Sequence, residues 1–304
     1  MNMLLNILQN TGQPGLLSAM LCPMGGIALL VICGMMLRGR RVTPLLGAAF
    51  LAAPMGMGML GVWLGDMFAL EAVAHASAEM KMTLIAVGLS QVLYTRILTG
   101  GIAAALAGLT LVGCAIVGVR QKPRGKGIPA VVLVLTLLIC AVVVAGGVST
   151  GSVGTAAIRS LLYLFAGTLT AAALLSTDKT QSGTNAGSLA AIAFVVLIAG
   201  AEICSICVAG IFNFEAIARA GMIEKGTLAT EWINVMAQQE SFALGALAVA
   251  MVIAIAGATR SLEGSLRDVG VACALLYCLC APLWLMTNGE NSLVAFAKTL
   301  SASE

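Results

Sequence analysis

MTLIAVGLSQVLYTRILTGGIAAALAGLTLVGCAIVG, residues 82–118, decides how this chain is read. Within it Arg96 is the single charged residue. A helix crosses a bilayer with about 20 apolar residues, and this run is well beyond that. At about 1.5 Å per residue it must tilt strongly or project from the lipid. Working outward, seven further segments are apolar and long enough: roughly 17–37, 43–66, 128–148, 155–176, 187–212, 227–258 and 268–287. The run 227–258 is also longer than a bilayer requires. The expected fold class is therefore all-α, a polytopic membrane bundle of about eight transmembrane helices.

Composition agrees. Of 304 residues 60% are apolar and only 10% charged, with a mean hydropathy of +1.03. A soluble domain carries about 25% charged residues. These values exclude a soluble globular enzyme and a disordered chain. A net charge of +3 is too small for a nucleic-acid surface. The expectation is a protein that is not an enzyme and that contacts lipid, not nucleic acid. The N-terminal MNMLLNILQNTGQPG has no basic residue ahead of an apolar core, so no secretory signal peptide is expected. All nine cysteines sit in apolar runs, where a thiol acts as a small hydrophobe. Cys204-x-x-Cys207 and Cys278-x-Cys280 have metal-like spacing but no supporting His or second pair. No metal and no cofactor is expected, and one histidine excludes a bis-histidine haem within one chain.

Loop charges set an orientation. Arg38, Arg40 and Arg41 follow the first apolar segment, and Arg120, Lys122, Arg124 and Lys126 follow the third. Lys179 follows the fifth, and Arg260 and Arg267 the seventh. The alternate loops are acidic or neutral, with Asp66, Glu71 and Glu79 after the second segment and Glu290 after the eighth. Basic loops stay cytoplasmic, so both termini are expected on the non-cytoplasmic side of a bacterial inner membrane.

The chain also repeats itself. FALEAVAHASAEMKMTL (68–84) aligns without gaps on FNFEAIARAGMIEKGTL (212–228), an offset of 144. Eight of seventeen positions are identical, among them Glu71/Glu215, Lys81/Lys225 and Thr83/Thr227; His75 pairs with Arg219. Half of the length is 152, so two parallel four-helix repeats are expected, over 1–150 and 151–304. The repeated stretch reads as a short extramembrane helix with Glu71, His75 and Glu79 on one face. It is expected to be a solvated face, because Arg219 cannot ligate a metal where His75 stands in the other copy.

Polar groups at membrane depth are costly and mark functional candidates. The third segment holds Gln91, Thr95 and Arg96, the sixth Glu202, the seventh Gln239 and Glu240. The offset pairs Thr95 with Gln239, and Arg96 with Glu240. Opposite charges at equivalent positions point to an ion pair across the two halves, with Glu202 left as a titratable carboxylate. The same residues also serve as structural glue between bundles, and both roles stay open. Glycines, including Gly56, Gly58, Gly61, Gly65, Gly100, Gly101 and Gly108, are expected to pack helices closely.

Residues 51–108 resemble the membrane hairpin of the MotA/TolQ/ExbB proton-channel family. Ala53-Pro54, Gly58, Gly61, Val62-Trp63, Gly65 and Phe68 match its first part. Gly88-Leu89-Ser90-Gln91 stands where Gly-Ile-Ser-Glu is expected, Thr95 matches a pore-facing threonine, and Gly101–Ala105 resembles the tail. The resemblance implies an inner-membrane subunit driven by the proton-motive force, a homo-oligomeric ring, and a single-span partner of the ExbD/TolR/MotB type. The ion path would be Gln91, Thr95, Arg96, Glu202, Gln239 and Glu240. The departures are specific. Gln91 replaces the family glutamate, Arg96 replaces the second threonine, and a large cytoplasmic domain is missing. A fixed cation repels the carried ion, so the resemblance also admits a scaffold that does not conduct. Competing readings are a rotary-ATPase proteolipid with Glu240 as ion site, a quinone-reactive anchor, and a transporter of parallel repeats.

Overall fold

The structure, a computed structural model, describes residues 13–38, 47, 50, 51, 54, 67, 71–121 and 186–220. Among them every regular element is helical, in agreement with the all-α expectation. Three helices carry the architecture: α1 (Gln13–Leu37), α2 (Ala78–Gln121) and α3 (Ala186–Arg219). The expected fourth, fifth, seventh and eighth segments, the boundary near residue 150, and the second segment apart from residues 47, 50, 51 and 54, including Gly56, Gly58, Gly61 and Gly65, lie outside the described residues.

α1 opens on Gln13-Pro14-Gly15, where a proline close to the helix start has no intrahelical donor to lose. At its other end the Arg38 amide donates to Gly34 O (3.3 Å) and Met35 O (3.1 Å), closing the last turn.

The repeated stretch is organised differently from the single short helix expected. Residues 71–74 are helical, the chain turns at 75–77, and α2 starts afresh at Ala78. Ser77 is the cap: its carbonyl accepts from the amides of Met80 (3.0 Å) and Lys81 (3.2 Å). Serine is favoured at such a position because its side-chain oxygen is able to accept from a first-turn amide. Glu71, His75 and Glu79 therefore do not share one helix face. In the second copy α3 runs through Arg219 and the chain bends at Ala220, whose amide donates to Ala216 O (3.0 Å). The bends at Ala76 and Ala220 fall at the same position of the repeat, 144 residues apart.

α2 has 44 residues, hence about 66 Å, and α3 has 34, hence about 51 Å. Of the described helices one is long and apolar enough to cross a membrane, over Thr83–Val117. Contacts fix the directions. Leu93 meets Gly210, Ile97 meets Cys204, and Gly100 meets Gly200, so α2 and α3 are antiparallel. Leu106 meets Gly25 and Gly26, and Gly113 meets Cys33, so α1 and α2 are parallel.

Burial separates the helices by role. On α3 the consecutive residues 192–194 and 196–201 leave no broad exposed stripe, since Phe194, Ile198 and Ala199 are all buried. A helix apolar and buried on every side is a central one. α1 is peripheral: Leu29, Ile32 and Met36 face inward, while Met24 (66% exposed), Ile27, Leu30 and Val31 face outward.

Candidate functional site

The α2–α3 seam gathers the polar side chains. Its tightest point is a glycine crossing. A Cβ placed on Gly200 would collide with Gly100 O and stand 3.0 Å from Ala104 Cβ and N. A Cβ on Gly100 would stand 3.0 Å from Ile203 Cγ2 and 3.3 Å from Gly200 O. The two backbones approach this closely only because both residues lack a side chain. One turn away, Cys204 Sγ donates to Ile97 O at 3.4 Å.

Along α2, Ser90, Thr95, Arg96, Thr99 and Thr110 are buried, with Thr95, Arg96 and Thr99 within about one turn of the crossing. Their hydroxyls are turned back on their own helix. Thr95 Oγ1 donates to Gln91 O (3.4 Å), Thr99 Oγ1 to Thr95 O (3.0 Å), Ser90 Oγ to Val87 O (2.8 Å) and Thr110 Oγ1 to Leu106 O (2.8 Å). Such bonds satisfy a buried hydroxyl without any partner helix. Arg96 is 2% exposed, so its guanidinium is enclosed by the bundle. Gln91, one turn before Thr95, is exposed. The structure thus brings Thr95 and Arg96 into the interior together and leaves Gln91 outside it. Glu202 sits on α3 two residues from Gly200. Gln239, Glu240 and Lys225 lie outside the described residues.

Farther along the seam, Tyr94 Oη donates to Glu215 Oε1 at 2.9 Å, joining α2 to α3 across 121 residues of sequence. Glu215 also pairs with Arg219 one helical turn on, at 3.8 Å, with Arg219 83% exposed. An exposed i,i+4 pair of this kind adds about 0.3–0.5 kcal/mol at most. The tyrosine bond is the stronger link, because its acceptor is charged and half-buried. Tyr94→Phe is expected to lower stability by about 1–2 kcal/mol, read as a fall in the detergent-solubilised chain's melting temperature. An unchanged value would remove this bond from the seam. Among the other residues of the repeated stretch, Glu71 and His75 are exposed and Lys81 is half-exposed.

Sequence reasoning placed Glu215 in the repeated stretch and did not join it to Tyr94 of the third apolar segment. It also passed over Gly200. The signal for Gly200 was present, since the 144 offset pairs it with Gly56, already singled out as a packing glycine. No group of three or more His, Cys, Asp or Glu suited to a metal occurs among the described residues. Compared with protein families, curated proteins and solved structures, the chain matches none of them.

Proposed function

We propose that the chain is a multi-pass membrane subunit of a proton-motive-force-coupled complex of the MotA/TolQ/ExbB type, and that it acts as a rigid scaffold and does not itself conduct. The observation that carries this is an inverted polarity. Large aliphatic side chains face outward on α1 (Met24, Ile27, Leu30, Val31) and on α2 (Leu109, Val112, Ile116), while Arg96, Thr95 and Thr99 are buried. A bilayer is the solvent that rewards this arrangement, because water would expose a large apolar patch without compensation.

Helix directions support the topology in this reading. α1 parallel to α2 and α3 antiparallel to both are the directions of the first, third and sixth segments under strict alternation. Both termini then lie on the non-cytoplasmic side of a bacterial inner membrane. The scaffold role follows from the seam. A proton path needs hydroxyls free to exchange partners, whereas Thr95 and Thr99 donate to their own backbone. The enclosed guanidinium of Arg96 repels a passing cation. The backbones at Gly100 and Gly200 leave no width for a water file between α2 and α3 at that point. In this reading the chain forms a homo-oligomer, a single-span partner of the ExbD/TolR/MotB type supplies the carboxylate that carries protons, and Arg96 clamps the two halves through Glu240.

Liposomes holding the purified chain and a pH-sensitive dye test the scaffold role. Under an imposed gradient the chain alone is expected to leak protons no faster than protein-free liposomes. Flux from the chain alone that Glu202→Gln or Glu240→Gln abolishes would make it the conductor and end the scaffold reading.

A further inference from the structure

We propose that Cys33 and Cys114 form a binding site for a soft monovalent metal ion, copper(I), between α1 and α2. The two helices meet at Gly113, where a Cβ would stand 2.5 Å from Cys33 Sγ and 3.3 Å from Cys33 Cβ. The Cys33 thiol therefore rests on the backbone of α2, at a residue with no side chain. Cys114 is the next residue, its Cα about 3.8 Å along the chain. Both cysteines are buried, both are free thiols, and they lie within electrostatic reach of each other. They are far apart in sequence, so spacing alone gives no sign of the pair.

Donor chemistry selects the ion. Over residues 24–37 and 104–117 the side-chain donor atoms are the sulfurs of Met24, Cys33, Met35, Met36 and Cys114 and the hydroxyl of Thr110. That hydroxyl donates to Leu106 O at 2.8 Å. Neither stretch contains a carboxylate or an imidazole. Calcium and magnesium need several oxygen ligands, and a structural zinc takes four strong ones. Copper(I) favours sulfur and is satisfied by two or three such donors. Met36, about one turn beyond Cys33 on the buried side of α1, supplies a thioether as the third. Charge points the same way, because a buried ion must be neutralised. Copper(I) displaces one thiol proton to solvent, and the thiolate so formed cancels its single charge. The second thiol and the thioether donate as neutral groups. An ion held by one cysteine from each helix ties the peripheral α1 to α2. Cys204 and Cys207 are buried too, but both stand on α3, and Cys204 Sγ donates to Ile97 O at 3.4 Å. Cys204 lies against Gly101, about 18 Å along α2 from Gly113.

The test titrates the full chain, purified in detergent without oxygen, with copper(I) against a chromogenic chelator. The expected result is an ion held in competition with the chelator and a higher melting temperature of the loaded chain. Cys33→Ala or Cys114→Ala alone should weaken binding at least about a hundredfold, more than loss of an outer partner of a metal ligand costs. The double variant should add little, because either loss already leaves a single thiol. Replacing Cys204 and Cys207 with alanine should leave binding unchanged. No ion held against the chelator overturns the site. So does a loss in the Cys204/Cys207 variant, or full binding without Cys33 and Cys114, since either places the ion elsewhere. The unsubstituted chain gives a second measurement that does not depend on how the variants fold. X-ray absorption of its bound copper should show sulfur neighbours alone, and nitrogen or oxygen neighbours would overturn the site.

Discussion

Gly200→Ala is expected to be among the most damaging single-methyl changes in this chain. The added carbon falls on Gly100 O and presses Ala104 at its amide and its Cβ. Both obstacles are helix backbone or fixed to it, so neither swings aside as a long side chain would. Overpacking costs about 1–3 kcal/mol in a well-packed interior, and a backbone obstacle belongs at the upper end. Against this, alanine improves on glycine in a helix by about 1 kcal/mol. The net expectation is a loss of about 2 kcal/mol, visible as a lower melting temperature in detergent. Gly101→Ala is the matched control. Its new carbon would meet Cys204 Sγ at 3.6 Å, an ordinary contact. There the helix gain remains, and stability should hold or rise by about 0.5–1 kcal/mol. Equal effects at the two positions would mean that α2 and α3 do not cross at Gly100 and Gly200.

Arg96→Met carries the other large expected effect. Arg96 is 2% exposed, and a guanidinium so enclosed must be balanced by charge or hydrogen bonds. Under the proposed clamp its counter-charge is Glu240. Removing one member of a buried pair costs about 3–5 kcal/mol, because the other is left charged and enclosed. Methionine keeps much of the volume, so packing contributes little to that loss. Glu240→Gln should cost a similar few kcal/mol for the same reason. The double variant should be far milder than the sum, since neither orphaned charge remains. Losses that add, measured by thermal unfolding, would show that Arg96 is balanced elsewhere and that the clamp between the halves does not exist.

Much of the helical architecture was legible beforehand because hydrophobic length is a one-dimensional property. The first and third apolar segments coincide with α1 and α2 to within four residues, and the sixth with the start of α3, which runs seven residues beyond it into the repeated stretch. The excess length of residues 82–118 reappears as the 44 residues of α2. The helix break at His75–Ser77 was less legible. An Ala-rich stretch with Glu71, His75 and Glu79 at helical spacing favours continuity, and the Ser77 cap competes with that pattern locally. The candidate site divides in the same way. Thr95 and Arg96 were identified from their polarity within an apolar run, and both are buried. Gln91 was grouped with them by the same criterion, yet it faces outward, because polarity does not report which side of a helix meets its neighbour.

What the sequence by itself determined is whatever depends on apolar length and local chemistry: all-helical elements, their extents, the loop charges and the repeated stretch. Only the tertiary structure decided what depends on how two helices meet. It set α2 antiparallel to α3 and parallel to α1, brought Gly100 onto Gly200, and joined Tyr94 to Glu215 across 121 residues. The physical reason is that apolar residues lie on every side of these helices. Hydrophobicity spread around a helix selects no face, so steric fit at a few glycines, with the Tyr94–Glu215 and Cys204–Ile97 hydrogen bonds, selects the partner and the register.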